Sequence, residues 1–370
     1  MLTSYADHFD TPAGYLDFAR FGPPSRDVVT ATVRAMEESA RADHTTVDGL
    51  MDAEAVARDT AARLTGTDGR HTVLLPNAST GLFHAALGIR AGVVLAPRTD
   101  FPSNHYPWRR SAALGRATPR WLDPAPGEGV TPDLVRAALT DDVVGVSVSA
   151  VDFRTGFRAD LAALRGAIGP DRLLIVDAIQ AFGVARMAWD AADVVVAGGQ
   201  KWLRAGWATG FAALSDRALE SLEPVLTGWT GVEDVGVFDG AEHAPAVDAR
   251  RWSITNLSPV TAAAFAAALG LVERYTVTAI EAAIALRVAE LTEVVEEHGG
   301  GVLSPTDPAR RAGVLAFAMP GHDPSVVAKA LHGEGVTPTV RADSLRFSPH
   351  ASTPPEVCAR VAAALSSLSN

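Results

Sequence analysis

The sequence predicts an α/β protein with a mostly parallel sheet flanked by helices and a smaller α+β domain after it. Three runs, at residues 143–151, 173–176 and 194–196, are dominated by valine, isoleucine and leucine, as fully buried parallel strands are. Helical patterns at 26–41 and 48–64 precede them. A chain of 370 residues is too long for one ordinary core, so two domains are expected.

The elements of the first domain follow from capping residues and apolar spacing. Ser25 is predicted to cap a helix that runs to about residue 41, because its hydroxyl accepts a hydrogen bond from a free N–H of the first turn. Thr131 and Pro132 mark another helix start, with a capping hydroxyl followed by proline. The other predicted elements are a strand and turn at 14–25, a helix at 48–64, a strand at 72–76, a helix from about Leu82, and strands at 93–96, 143–151, 173–176, 194–196 and 209–214.

The second domain is predicted to begin with a long alanine-rich helical stretch. Thr353 and Glu356 have the spacing of a capping box at the start of the last helix. The predicted elements here are helices at 261–274, 279–298, 324–332 and 354–367, with strands at 314–318 and 345–348. We therefore divide the chain into an N-terminal arm at 1–20, a large domain at 21–255 and a small domain at 256–370.

Composition excludes several classes of function. The net charge of −11 argues against nucleic acid or an anionic membrane as the main partner. The single cysteine, Cys358, excludes a disulfide framework and a cysteine-rich metal site. The ten histidines lack metal-ligand spacing, so no metal is expected. Because no signal peptide and no membrane span are visible, we expect a cytoplasmic protein.

Two polar side chains at strand ends carry the strongest chemical signal. Asp177 ends the run at 173–176, and Lys201 follows the run at 194–196. In a parallel sheet these ends meet at one edge, where ligands bind. The chain contains two lysines and thirty arginines, so Lys201 stands out. Lysine, unlike arginine, can lose its proton and form a Schiff base.

Small hydroxyl residues at a strand-to-helix turn form a second candidate site. Ser79, Thr80 and Gly81 follow the predicted strand at 72–76. Free N–H groups and hydroxyls at such a turn can surround an anion. The alternative is ordinary helix capping, which serine and threonine often perform.

The stretch from Asp177 to Gln180, followed by Gly199, Gln200, Lys201 and Trp202, resembles the core of the class V, fold-type I enzymes that use pyridoxal 5'-phosphate (PLP). The resemblance extends over roughly residues 15–365. In its details the sequence is similar to the branch of kynureninases, epimerase-like proteins and C–S lyases. It implies a seven-stranded large-domain sheet. It also implies that Lys201 holds PLP as a Schiff base and that Asp177 pairs with the pyridinium nitrogen. A carboxylate there keeps the ring protonated and able to accept electrons.

The same resemblance implies roles for other residues, each with a plain structural alternative. Phe101, in the loop Phe101-Pro102-Ser103, is expected to stack on the cofactor ring. Arg346, in a run similar to the family's carboxylate-binding strand, is expected to take the substrate α-carboxylate. The further cofactor contacts that it implies are Ser79, Thr80 and Gly81 at the phosphate, with Ser103, Asp152, Gln180, Gln200 and Trp229 elsewhere, and Asn256 is implied to contact the substrate. For Asp152 and Gln180, loop capping and helix contacts are equally open.

The predicted function is a PLP-dependent reaction on an amino acid. A β-eliminating or C–S lyase reaction ranks first, because of the loop at Phe101, with aminotransferase and epimerase reactions as alternatives. A cofactor-free interaction subunit is the alternative outside enzymes, but the retention of Lys201 and Asp177 together argues against it. A dehydrogenase is disfavoured because no glycine-rich GxGxxG motif follows a strand. Gly228 and Trp229 resemble a segment that reaches the neighbouring subunit, which implies a homodimer with shared active sites.

Overall fold

The computed structural model describes residues 2–41, 43–125 and 127–369. It confirms the predicted α/β class with a large, mostly parallel sheet and a smaller second sheet. The strands of the large sheet are β1 (Thr72–Leu74), β2 (Val93–Pro97), β3 (Thr118–Leu122), β4 (Val143–Ser149), β5 (Leu173–Asp177), β6 (Val194–Gly198) and β7 (Gly210–Leu214). The strands of the small sheet are β8 (Gly301–Val302), β9 (Leu315–Ala318), β10 (Thr339–Val340) and β11 (Leu345–Phe347).

The large sheet has the order β1-β7-β6-β5-β4-β2-β3, and only β7 runs against its neighbours. Strands β5 and β6 are buried along their whole length, as their apolar sequences predict. The small sheet is antiparallel in the order β10-β11-β9-β8. The central position of β5 and β6 places their carboxyl ends in the middle of one edge.

Helices cover the sheets. They are α1 (Leu2–Ala6), α2 (Arg26–Ser39), α3 (His44–Thr65), α4 (Ala78–Gly88), α5 (Tyr106–Ala113), α6 (Pro132–Ala138), α7 (Leu161–Ile168), α8 (Asp216–Ser221), α9 (Pro259–Tyr275), α10 (Val277–Glu297), α11 (Pro324–Gly333) and α12 (Val357–Ser366). Within the described ranges, no single helix is long and apolar enough to span a membrane, and α9 and α10 reach that length and composition only as a pair bent by 83°.

The predicted starts of α2 and α6 are confirmed, whereas α3 and α4 begin four residues before the predicted positions, at His44 and Ala78. Ser25 caps α2 by accepting from Val28 N at 3.1 Å, and Thr131 caps α6 in the same way. The predicted capping box at Thr353 is wrong. The last helix begins at Val357, and the Thr353 hydroxyl instead accepts from His350 N at 2.9 Å. The Thr353 N–H, which the Glu356 side chain would need for such a box, instead donates to His350 O at 2.9 Å.

The N-terminal segment pairs with the small sheet and then crosses the lysine loop. Leu16 N donates to Thr337 O at 3.1 Å, and Phe18 N donates to Ser348 O at 3.3 Å. Gly22 N then donates to Gln200 O at 2.9 Å. A Cβ on Gly22 would lie 2.0 Å from the Lys201 carbonyl oxygen, so only glycine permits this approach. Residues 16–22 thus contact both the small-sheet region and the lysine loop, and the domain limits, including the arm at 1–20, stay a prediction.

Arg204 joins the lysine loop to the N-terminal segment. Its side chain is only 1% exposed, and its Nε donates to Pro23 O at 2.6 Å. The guanidinium carbon lies 3.8 Å from the centre of the Phe9 ring. Among the described residues, no carboxylate lies within 4.0 Å of the guanidinium. Its positive charge is stabilised instead by carbonyl, hydroxyl and aromatic groups. Burial lowers the pKa of Arg204 to about 9.

We expect Arg204→Ala to lower the free energy of unfolding by about 3 kcal/mol or more, since it leaves a cavity and several unpaired polar groups. Urea denaturation followed by fluorescence measures this change. Arg34→Ala is the control, because Arg34 is exposed and pairs only with Glu38 on the same helix. Equal stability of the two variants would show that the Arg204 contacts contribute nothing.

Candidate active site

The carboxyl ends of β2, β4, β5 and β6 converge on one edge of the large sheet. Ser149, at the end of β4, lies opposite Asp177, at the end of β5, in the strand register. The loop after β2 carries Phe101, and the turn after β6 carries Lys201. The structure therefore brings together the side chains that were predicted from their positions at strand ends. They lie at the edge where parallel sheets bind ligands.

Asp177 is buried, and its carboxylate has little local compensation. Its side chain is 2% exposed, and Oδ1 accepts one hydrogen bond, from Ile179 N at 3.0 Å. Burial raises the pKa of Asp177 to about 6, and the neighbouring Asp100 contributes in the same direction. Lys201 and the Ile179 N–H oppose this shift. The carboxylate is poised to accept a charged donor from a ligand.

Lys201 carries the positive charge that complements Asp177 in the site. Burial lowers its pKa to about 8, and the charges of Arg346 and Arg341 act in the same direction, whereas Asp177 opposes them. Its Nζ lies 5.2 Å from the centre of the Phe101 ring. Among the described residues, no carboxylate oxygen lies within 4.0 Å of this Nζ. The two buried charges, Lys201 and Asp177, thus attract each other without forming a direct pair.

This donor set fits PLP. Lys201 offers an amine for the aldehyde, and Asp177 offers an anionic acceptor for a protonated ring nitrogen. Phe101 presents a ring beside the amine. Separation of the two charges matters, because a direct lysine–aspartate pair would occupy both groups. The described residues thus offer a suitable partner for the aldehyde of the cofactor and another for its ring nitrogen.

The N-terminus of α4 supplies the candidate phosphate site. Asn77 caps the helix by accepting from Thr80 N at 2.9 Å. The Ser79 and Ser103 hydroxyls lie 2.8 Å apart, so they join this turn to the loop after β2. A Cβ on Gly81 would lie 2.5 Å from a Val196 methyl group, so glycine lets α4 pack closely on β6. Two hydroxyls and a helix N-terminus are a suitable setting for a phosphate dianion.

A buried polar network lies beneath Phe101, and the sequence reasoning did not identify it. Asp100 accepts from Phe101 N at 2.7 Å, from Asn104 Nδ2 at 2.9 Å and from the Ser149 hydroxyl at 2.8 Å. Asn104 in turn accepts from Trp108 Nε1 at 3.1 Å. The network holds the loop that carries Phe101. The signal in the sequence was a carboxylate just after a buried strand, the pattern that identified Asp177.

Three predicted cofactor contacts have structural partners. The Asp152 carboxylate pairs with Arg154 Nη2 at 2.6 Å and accepts from Arg154 N, which caps the turn after β4. Gln180 is held at both ends of its amide. It donates to Ala19 O at 3.0 Å and accepts from Trp202 Nε1 at 2.7 Å. For Gln200, the observed contact is at the backbone, with Gly22. These contacts favour the structural alternatives, and the cofactor roles stay predictions.

Arg346 is more deeply bound than expected for a ligand group. Its side chain is 2% exposed, and its terminal nitrogens donate to Phe153 O at 2.6 Å, to the Thr339 hydroxyl at 2.8 Å and to Asp17 Oδ1 at 3.3 Å. Its Nε is buried without a hydrogen-bond partner. Burial lowers the pKa of Arg346 to about 10. The sequence reasoning did not identify Asp17 as its partner, and one donor of Arg346 remains free.

Trp229 and Asn256 lie together on an exposed surface. Trp229 is about half exposed, and its Nε1 donates to the Thr255 hydroxyl at 3.2 Å. A Cβ on Gly228 would lie 1.9 Å from Ile254 O, so this glycine permits the contact between the two loops. Asn256 follows directly and is exposed. Their predicted roles depend on a second subunit and stay predictions.

We expect the rate at which the apoprotein takes up PLP to rise with pH and to level off above about pH 8. The reactive form of Lys201 is the free amine. With its pKa lowered from 10.5 to about 8, the fraction of free amine at pH 7 is roughly 300-fold that of an ordinary lysine. Absorbance changes after mixing with PLP between pH 6 and pH 10 measure the rate. A midpoint near 10.5 would contradict the lowered pKa.

The fold and this donor set are those of a PLP-dependent enzyme. Comparison with known proteins narrows the class. The model of the family described as "Aminotransferase class-V" matches residues 22–342. The chain therefore belongs to the aminotransferase class-V family, and the predicted family, enzyme class and cofactor are confirmed.

Individual relatives point to related chemistries. A kynureninase of Deinococcus radiodurans is 28% identical over 301 residues, which cover 77% of this chain and 70% of that protein. A probable cysteine desulfurase of Aeropyrum pernix is 32% identical over 199 residues, 50% of this chain and 47% of that protein. A solved complex of the cystine C–S lyase C-DES with its product, cysteine persulfide, has a TM-score of 0.86 at 18% identity, and covers 95% of this chain and 97% of that chain. This last similarity shows the fold.

Proposed function

We propose that the protein is a PLP-dependent lyase that eliminates a sulfur leaving group from the β-carbon of an amino acid. The observation that carries the reaction type is the position of the single cysteine. Cys358 lies on α12, with its Sγ 3.8 Å from Glu290 and 3.9 Å from Arg287. Burial raises the pKa of the Cys358 thiol, which makes it less reactive. The position of Cys358 on α12 and its raised pKa argue against a desulfurase nucleophile, so we assign the reaction to the residues at the sheet edge.

Each residue has one role in this proposal. When bound, PLP supplies an electron sink for charge that develops at the substrate Cα. Lys201 would hold the cofactor and, as a free amine, would move the Cα proton, a role that its lowered pKa of about 8 favours. Asp177 would stabilise a protonated ring nitrogen. Phe101 would pack against the ring, and Arg346 would bind the α-carboxylate through its Nε, which is buried without a partner.

The helix α4 region anchors the phosphate. We assign this role to Ser79, Thr80 and Gly81, supported by the helix N-terminus and by the hydroxyl pair of Ser79 and Ser103. Asp152, Gln180 and Gln200 shape the site around the cofactor through their own bonds. The enzyme is proposed to act in the cytoplasm, in accord with its acidic composition.

Product analysis tests the reaction type. Elimination converts the amino acid and one water into pyruvate, ammonia and the protonated leaving group. Transamination, the alternative, yields the oxo acid of the intact substrate and leaves the amino group on the enzyme. Holoenzyme incubated with cystine, cysteine or S-alkyl cysteines should release pyruvate together with cysteine persulfide, hydrogen sulfide or a thiol, respectively. Stoichiometric pyridoxamine phosphate with an intact oxo acid would refute the lyase.

We also propose a homodimer in which the loop at 224–245 contacts the second copy. This loop exposes several large apolar side chains around a cavity of about 580 Å³. Phe238 is 83% exposed, and Trp229 lies 6.3 Å from it between ring centres. Apolar exposure of this kind is typical of a subunit interface. It would bring Trp229 and Asn256 to the partner's site.

Light scattering at micromolar concentration is expected to give the mass of a dimer, and Phe238→Asp is expected to shift the protein towards monomer. Val326→Asp is the matched control, because Val326 is an exposed apolar residue on α11, outside this loop. A fully active monomer in the wild type would contradict the proposal.

A further inference from the structure

Three arginines surround Phe153 at the edge of the site, and two of them are neutralised by carboxylates. Arg154 pairs with Asp152 at 2.6 Å, and Arg346 contacts Asp17 at 3.3 Å. Arg341 is different. In the described part of the chain, no carboxylate oxygen lies within 4.0 Å of its guanidinium, and its Nε is buried without a hydrogen-bond partner.

Arg341 belongs to the same layer of side chains as Lys201. Its guanidinium carbon lies 5.0 Å from the centre of the Phe153 ring. The Phe153 ring meets Phe101 edge to face at 5.3 Å, and Phe101 lies 5.2 Å from Lys201 Nζ. The charge of Arg341 also reaches the amine, because it lowers the pKa of Lys201, although less than Arg346 does. Arg341 is therefore linked to Lys201 through two aromatic rings, and its charge acts on the amine less strongly than that of Arg346.

An unpaired, half-buried guanidinium is costly unless a ligand pairs with it. Burial lowers the pKa of Arg341 and the charge of Arg154 adds to this shift, whereas the carboxylates of Asp17, Asp152 and Asp343, all beyond 4.0 Å, oppose it. The turn between β10 and β11 fixes its backbone, where Arg341 N donates to Ser344 O at 2.9 Å. The group thus presents planar N–H donors from a fixed position, which suits a carboxylate, sulfinate or sulfonate.

We propose that Arg341 binds an anionic group on the side chain of the substrate, so that the enzyme prefers amino acids with a second negative charge. The inference depends on the proposed function, in which the substrate amine would lie at the cofactor held by Lys201 and Arg346 would bind the α-carboxylate. An amino acid held at those two points directs its side chain to a third. Of the three arginines around Phe153, Arg341 is the one with no carboxylate oxygen within 4.0 Å among the described residues.

Spectral titration of the holoenzyme tests the preference with two probes that differ by one charge. Aspartate and asparagine have nearly the same size, and the change of the cofactor absorbance gives a dissociation constant for each. We expect wild-type protein to bind aspartate about tenfold more tightly or better, since a desolvated charge pair contributes at least that much. In Arg341→Gln the ratio of the two constants should fall below about threefold.

The control is Arg311→Gln. Arg311 is also half-buried, its pKa is likewise lowered by burial, and it lies outside the layer around Phe153. This variant should keep the wild-type ratio. Circular dichroism and cofactor content establish that each variant is folded and loaded.

The outcomes separate the two proposals. If Arg341→Gln weakens both amino acids equally, Arg341 binds the α-carboxylate and the inference is wrong. If the wild type does not distinguish aspartate from asparagine, the inference is also wrong, although the proposed function stands. If no amino acid changes the cofactor spectrum, the proposed function itself fails and the inference fails with it.

Discussion

Replacement of Lys201 by alanine is expected to remove both the visible absorbance of the bound cofactor and at least a thousandfold of the activity, roughly the loss of an essential acid–base group. The variant lacks the amine that holds PLP and moves the Cα proton. Absorbance spectra and product assays measure the two losses. Borohydride treatment of the wild type, followed by peptide mapping, should leave the pyridoxyl group on Lys201.

Lys329 provides a matched control, because it is the other lysine of the chain and lies exposed on α11. Lys329→Ala should keep the colour and the activity of the wild type. A pyridoxyl group on Lys329, or full colour in Lys201→Ala, would refute the assignment of the site.

Asp177→Asn is expected to retain much of the cofactor but to lose roughly a hundredfold or more of the activity, as when a preorganised charge is removed from a buried site. The amide cannot keep the ring nitrogen protonated. The loss should persist from pH 7 to pH 9, because the pKa of Asp177 is about 6 and the wild-type carboxylate is charged throughout that range. Turnover at saturating substrate measures the effect.

Asp152→Asn distinguishes charge at the ring from charge elsewhere in the site. The Asp152 carboxylate is occupied by Arg154 and by the turn after β4, so a smaller loss of turnover is expected. Equal losses of turnover in the two variants would indicate that Asp152 contacts the cofactor, as the family resemblance implied.

Residues with a local signal were the ones that the sequence could predict. Strands β5 and β6 have apolar runs that end in Asp177 and Lys201, and parallel strands bring such ends together whatever the rest of the chain does. The start of α2 was equally local, since Ser25 caps it through the N–H three residues later.

The partners of these residues depend on contacts between distant parts of the chain. Nothing near Arg346 in the sequence indicates Asp17, which lies 329 positions away. The lack of a direct carboxylate partner at Arg341 is evident only from the three-dimensional contacts, which pair the neighbouring arginines with Asp152 and Asp17. The capping box failed for a related reason, because the Thr353 hydroxyl has a competing donor in His350 N.

The crossing of the N-terminal segment over the lysine loop has a consequence for biosynthesis. Residues 16 and 18 hydrogen-bond to residues 337 and 348. The first strand-like segment therefore cannot pair until nearly the whole chain has been synthesised. The large sheet can form earlier, but the hydrogen bond from Arg204 to the Ser352 hydroxyl also requires the C-terminal segment. Acquisition of the cofactor should therefore be among the last events of folding, and nascent chains shorter than about 350 residues should remain colourless.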